Sequence, residues 1–134
     1  MKNKFFTAVA SVFFCCILWA IHIANTGESN ILFKLVLSIP HGDKLGHFTL
    51  FGVLCLLLNI ALNYKVVNVM RVRCYLGSVL VSVFVVAEEL SQGLIPTRTL
   101  DSKDLLADGL GIAFFSYVTW LLAQRSLKRG RVNE

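Results

Sequence analysis

The sequence predicts an all-α membrane protein, a four-transmembrane-helix bundle with both termini cytoplasmic. Three observations predict it. The 134 residues carry only 16% charged side chains, where a soluble domain has about 25%, and the mean hydropathy is +0.70. Four apolar runs, at about 5–24, 45–62, 74–95 and 105–123, each approach the ~20 residues that a helix needs to cross the hydrocarbon core. Lysine and arginine cluster beside alternate ends of those runs. The length allows one domain, 1–134.

The first run follows the basic start "MKNK". It is longer than a signal-peptide core of about 7–15 residues, and "IHIA" before Asn25 lacks the small residue expected three positions back. It reads as an uncleaved helix. The following "ESNILFKLVLSIP" is too short to span; residues 29–39 read as an interfacial segment or a lid, ended by Pro40. The runs at 45–62, 74–95 and 105–123 have helix as their only sensible state, because a spanning segment must satisfy its own backbone hydrogen bonds.

Lys2 and Lys4, then Lys65, Arg71 and Arg73, then Arg125, Lys128, Arg129 and Arg131 belong on the cytoplasmic side. The first and third connections balance Lys34, Lys44, Arg98 and Lys103 with acids and belong outside. The formal net charge of +5 therefore reads as topology and contact with anionic lipid, and no nucleic-acid partner is expected. Cys15, Cys16, Cys55 and Cys74 form no CxxC pair and read as small apolar residues inside helices.

One stretch is out of keeping with its surroundings: "EELSQGLIPTRTLDSKDLLADGLG", residues 88–111. With the topology above, all acids except Glu134 gather at the outer face. If the third helix ends near Ile95, Glu88 lies about 10 Å inside it. An acid at mid-helix costs roughly 2.5–3.5 kcal/mol, so Glu88 and Glu89 should face the bundle interior or a water-filled cavity, with partners. Glu88 and Gln92 are four apart and share a face; Glu89 points about 100° away, so one glutamate is expected at the centre. Asp43 and His47 pair similarly on the second helix, with Lys44 beside them. Asp104 and Asp108 pair on the fourth, with Asp101 one turn earlier. Capping at positive dipole ends is an alternative account of Asp43, Asp101 and Asp104; it does not account for Glu88, at the wrong dipole end for an acid.

Other features read as architecture. Ala107 and Gly111, with Gly109 and Ala113, have small-xxx-small spacing for close helix packing, and Gly46 and Gly52 offer the same on the second helix. His22 reads as structural or solvent-facing, and His41 as a loop residue. Trp19, Tyr117 and Trp120 read as packing or interface residues, Tyr64 and Tyr75 as interface anchors. There is no HExxH, P-loop or GxSxG motif, and Ser91 and Ser102 lack a triad pattern. A hard divalent cation would suit Asp43, His47, Glu88, Asp104 and Asp108. One histidine among scattered acids is no ligand pattern, however, so no cofactor or metal is expected.

"DKLGHFTLFGVL", "EELSQ" and "PTRTLDSKDLLADGLG" together resemble the VanZ-like family of small bacterial membrane proteins. The resemblance covers about residues 43–111 and rests on Asp43, Lys44, His47, Phe48, Glu88 or Glu89, Gln92, Arg98, Asp104 and Gly111. Asp108 departs from it, standing where the family's pattern carries asparagine. The resemblance implies the bacterial cytoplasmic membrane and, from its namesake, a link to teicoplanin resistance; it implies no settled biochemical activity.

Two readings of function follow. In the first, the cluster binds an envelope or lipid-linked ligand or partner, with Arg98 and Lys44 on phosphate or carboxylate and Glu88, Gln92 and Asp104 holding them. In the second, the protein is an intramembrane hydrolase or transferase acting on a lipid head group. Glu88 or Asp104 would then be general base, His47 acid or base, and Arg98 anion stabiliser. Binding ranks first because no established catalytic motif is present. A proton or ion pathway ranks lower, because no ionisable residue lies in the inner halves of the helices.

Overall fold

The computed structural model describes residues 2–27 and 31–132, with the backbone alone at 2, 32, 33 and 129–132. Glu28, Ser29, Asn30 and Glu134 lie outside the described residues. In chain order the elements are α1 (Lys2–Thr26), α2 (Ile31–Ser38), α3 (Gly42–Ala61), β1 (Val66–Val69), β2 (Val72–Tyr75), α4 (Leu76–Gln92) and α5 (Ser102–Val132). Among the described residues, three helices are long and apolar enough to cross a membrane by length and composition: Asn3–Thr26, Gly42–Ala61 and Ser102–Lys128.

The core is narrow. Ile17, Phe51, Leu54, Cys55, Val81, Val85 and Ile112 form it, with Phe13, Phe14, Ile21, Leu58, Phe84 and Leu105 packed around them. Most other large apolar side chains point outward, among them Val12, Trp19, Leu50, Val83, Leu106, Phe114 and Trp120. A soluble monomer does not tolerate apolar surface on that scale. A protein whose solvent is lipid gains from it, and this chain is a multi-pass membrane protein.

α3 is the hub. α5 packs along its length, α1 and α4 pack on its other sides, and α2 folds back on its first turn. The α3–α5 contacts pair Lys44 with Asp104, His47 with Asp108 and Asn59 with Thr119, so the two helices run parallel. α4 runs antiparallel to α3, with Phe84 against Phe51 and Ser78 against Asn59. Two glycines set the α3–α5 approach. A Cβ on Gly111 would lie 2.2 Å from the Phe48 carbonyl oxygen, and one on Gly52 would lie 2.3 Å from the Phe115 ring. Gly46 and Gly109, expected to act likewise, face open space.

Boundaries differ from the expectation in ways that matter. α4 ends at Gln92, not near Ile95, because Gly93 starts a series of turns in which Leu94 and Ile95 donate to Ser91 and Gln92 carbonyls. Glu88 is thus about 6 Å from the helix end, not about 10 Å. α3 starts three residues early, where His41 takes a left-handed φ of 57° at its N-cap and Gly42 lets the chain pass the Val36 carbonyl. α5 starts at Ser102 and runs on to Val132, into the basic tail.

The 63–73 connection, expected as a loop, folds as an antiparallel hairpin in the register Val66↔Tyr75 to Val69↔Val72. Cys74 therefore lies on a strand, not at the start of a helix. Cys15 and Cys16 are exposed on α1, not buried, because no helix among the described residues covers them.

Gly111→Ala should destabilise the protein by about 1–3 kcal/mol, as overpacking does. Gly109→Ala, with room for the methyl group, should be neutral or stabilising by up to about 1 kcal/mol through helix propensity. Thermal unfolding of the two variants in one detergent separates them.

Candidate functional site: a mixed-charge cluster at one end of the bundle

Three element ends meet here: the starts of α3 and α5 and the end of α4. Both starting helices bring positive dipole ends, which favours the acids placed there. Lys44 on the first turn of α3 is clasped by three carboxylates, with Nζ 2.7 Å from Asp43, 3.0 Å from Asp101 and 2.5 Å from Asp104. One turn deeper, His47 Nδ1 lies 3.0 and 3.2 Å from the two oxygens of Asp108. Its Nε2 points toward Asp104, 3.8 Å away, too far for a direct hydrogen bond.

The third wall is α4. Gln92 Nε2 donates to both oxygens of Glu88, at 3.0 and 2.8 Å, and to Glu89 at 3.2 Å. The other Glu89 oxygen accepts the Asp101 backbone N–H at 2.7 Å. The Gln92 carbonyl oxygen accepts from Arg98 Nε at 3.3 Å. Both glutamates are buried, which corrects the expectation of one central glutamate. The 100° offset holds along α4, but the 93–101 connection folds over the helix end and carries Asp101 to Glu89. Glu88 and His47 interact electrostatically, as do Glu89 and Asp104, so the three walls form one cluster.

Exposure falls steadily with depth. Side chains are 43% exposed at Asp43 and 36% at Asp101, 24% at Lys44, 19% at His47, 14% at Asp104 and 1% at Asp108. Gln92, Glu89 and Glu88 form the buried floor. At the rim, the Lys103 backbone N–H at 2.9 Å, followed by Lys44, holds the Asp101 carboxyl below the usual carboxylate range. The Lys103 bond is also the capping contact that the sequence offered as an alternative for Asp101. Asp104 is instead committed to Lys44.

All ten sequence-predicted residues come together here: Asp43, Lys44, His47, Glu88, Glu89, Gln92, Arg98, Asp101, Asp104 and Asp108. Six are carboxyl groups, against Lys44, Arg98 and a titratable His47. Lys44 is saturated by aspartates. Arg98 forms no ion pair among the described residues, so its terminal guanidinium nitrogens remain for an anion.

A second polar group went unforeseen, deeper in the bundle. Asn59 Nδ2 donates to Ser78 Oγ at 3.0 Å and Thr119 Oγ1 at 3.3 Å, and Asn59 Oδ1 accepts the Ser78 N–H at 3.1 Å. Ser78 and Ser116 hydroxyls are 2.7 Å apart, with Cys55 Sγ 3.3 Å from Ser78. These are uncharged small polar side chains that join α3, α4 and α5, as interhelical hydrogen bonds do in membranes. The available signal was Asn59 in an apolar run, one turn on from Cys55 on the same helix face.

Comparison with family models, curated proteins and solved structures finds no match.

Lys44→Met should destabilise the protein by about 2–3 kcal/mol, the scale of a lost charged hydrogen bond. Asp104→Asn in the same chain should return part of that loss, because fewer like charges then face one another. Chemical denaturation of both variants in one detergent checks the coupling. Asn59→Leu should cost about 1–3 kcal/mol by leaving buried Ser78 and Thr119 groups without their partner, measured the same way.

Proposed function

We propose that the chain is a VanZ-like integral protein of the bacterial cytoplasmic membrane. Its outward-facing polar cluster binds an envelope or lipid-linked ligand or partner. The reading includes four membrane crossings with both termini cytoplasmic. Two facts support four crossings. α3 and α5 run parallel, so the chain between them has to return across the bilayer, and α4 is the helix that returns it. Its 17 residues cover about 26 Å, close to the ~30 Å hydrocarbon core. The acid-free, arginine-bearing hairpin at the opposite end from the cluster supports the orientation.

The graded exposure of the cluster carries the binding reading. Rim groups are reachable while the floor is buried and hydrogen-bonded, so the groups that meet a ligand are held in place before it arrives. That limits the ordering cost of binding. Arg98, with a free guanidinium edge, is the contact for a phosphate or carboxylate. Lys44 is reserved for its aspartates. The acid excess suits a ligand that also offers hydrogen-bond donors.

A second reading rests on the His47–Asp108 pair. A buried carboxylate on Nδ1 orients the ring and leaves Nε2 toward the more exposed Asp104, the arrangement of an oriented general base. In that reading the protein hydrolyses or transfers a lipid head group, with water or an acceptor hydroxyl as nucleophile.

Single cysteines at 47, 88, 92, 98, 104 and 108, with Cys15, Cys16 and Cys74 replaced, test the site with a membrane-impermeant thiol reagent. Labelling from outside should be strong at 98, measurable at 104 and 47, and slow at 88, 92 and 108. Labelling from the cytoplasmic side, or at 98 alone, sinks the proposal. His47→Asn and Glu88→Gln separate the two readings. A binder keeps its co-purifying lipid species under native mass spectrometry. An enzyme loses head-group turnover, followed by phosphorus NMR on extracted membrane lipid.

A further inference from the structure

The hairpin Lys65–Tyr75, "KVVNVMRVRCY", has no part in the polar cluster and sits at the other end of the bundle. In its register Val67 faces Cys74 and Val69 faces Val72, while Val66 faces Tyr75 and Asn68 faces Arg73. Cross-strand partners share a face and successive residues alternate. One face is therefore Val67, Val69, Val72 and Cys74, wholly apolar. The other carries Asn68, Arg73 and Tyr75 beside Val66.

Among the described residues the apolar face is half-buried at its base, at Val67 and Cys74, and exposed toward its tip. Val72 is 60% exposed and Met70, at the tip, 93%. The hairpin's substantial packing is confined to the start of α4, and its base is closed by Leu76 N–H to the Lys65 carbonyl at 2.8 Å. A two-stranded hairpin is marginal in water by itself. This one also has Met70 and Arg71 at φ of 47° and 72°, the two positive-φ turn positions where glycine or asparagine is preferred. Its conformation needs a surface to lie on.

Position and charge identify that surface. The hairpin leaves the end of α3, a candidate membrane span, so it emerges at the hydrocarbon boundary. Lys65, Arg71 and Arg73 are exposed and form no ion pair among the described residues. The chain has no acid from residue 44 to residue 87.

We propose that the hairpin is an interfacial anchor, with its valine face on the acyl-chain boundary and Lys65, Arg71 and Arg73 on anionic phospholipid head groups. Each cation near an anionic leaflet is worth about a five-fold gain in partitioning, so three give on the order of a hundred-fold preference for anionic over zwitterionic lipid. The apolar face favours a bilayer over an acidic protein surface, which would match the charge but leave the valines in water.

The test uses the full chain in nanodiscs of phosphatidylcholine, with or without phosphatidylglycerol. Cys15, Cys16 and Cys74 are replaced by alanine; Cys55, at 0% exposure, stays unlabelled. Spin labels at Val72→Cys and Asn68→Cys are read by collision with oxygen and with a water-soluble nickel chelate. The label at 72 should favour oxygen and the label at 68 nickel, with the contrast growing in phosphatidylglycerol. That lipid should also raise the thermal midpoint by about 5 °C. Lys65→Gln, Arg71→Gln and Arg73→Gln together should abolish both lipid responses while the midpoint in phosphatidylcholine stays put. A label at 72 as nickel-accessible as that at 68 overturns the proposal and leaves the face to a protein partner. A triple variant that still responds to phosphatidylglycerol overturns it equally.

Discussion

The close parallel contact of α3 with α5 is the constraint on which the rest depends. Gly52 and Gly111 allow it, since at each the space of a Cβ is taken by the Phe115 ring or the Phe48 backbone. With the helices that close and their register fixed, four polar side chains of α3 find partners on α5 or its approach at matching depth. Lys44 meets Asp101 and Asp104, His47 meets Asp108, Cys55 meets Ser116 and Asn59 meets Thr119. A slip of one residue would rotate α5 by about 100° and carry its aspartates toward lipid, where ionised groups are most costly. The polar pairs thus specify the register more than they add stability, the best-attested use of buried polar groups.

Charge is partitioned along the bundle as strictly as polarity is across it. The cluster gathers six carboxyl groups at one end, and the hairpin at the other end has three cations and no acid. Between them the buried polar groups among the described residues, Asn59, Ser78 and Thr119, are uncharged. Two helix N-termini favour the carboxylates of the cluster, but α4 presents its C-terminus, the unfavourable end. Glu88 and Glu89 are accommodated there by Gln92 and by the Asp101 N–H. A glutamine amide does what a cation would do elsewhere, and only Nε of Arg98 is engaged by it, which leaves the terminal guanidinium nitrogens uncommitted.

Much of this was legible in the chain, for reasons that can be stated residue by residue. Apolar runs of spanning length reveal helices because lipid leaves the backbone no alternative. A polar residue inside such a run reveals an interior position, and helical spacing ties it to the charged residues at the start of the same helix, which is why Asp43, Lys44, His47, Glu88, Gln92, Asp104 and Asp108 group together in the sequence. The hairpin was missed because its valines alternate weakly and Met70–Arg71 is not a turn dipeptide. The paired burial of Glu88 and Glu89 was missed because it is made by a connection, and helical periodicity says nothing about where a loop returns. Glycines at 46, 52, 109 and 111 look alike in sequence; only the register of α3 on α5 tells which two are in contact.

The parallel pair also imposes an order in time. Its members lie about sixty residues apart in the chain, and a chain is made from its N-terminus. α3 and α4 are therefore made while Lys44, His47, Glu88 and Glu89 still lack the aspartates and backbone N–H group that α5 and its approach supply. The bundle that awaits α5 is electrostatically incomplete, and α5 acts as its latch. Quality control that recognises exposed intramembrane charge would read this chain as unfinished until residues 101–119 have docked.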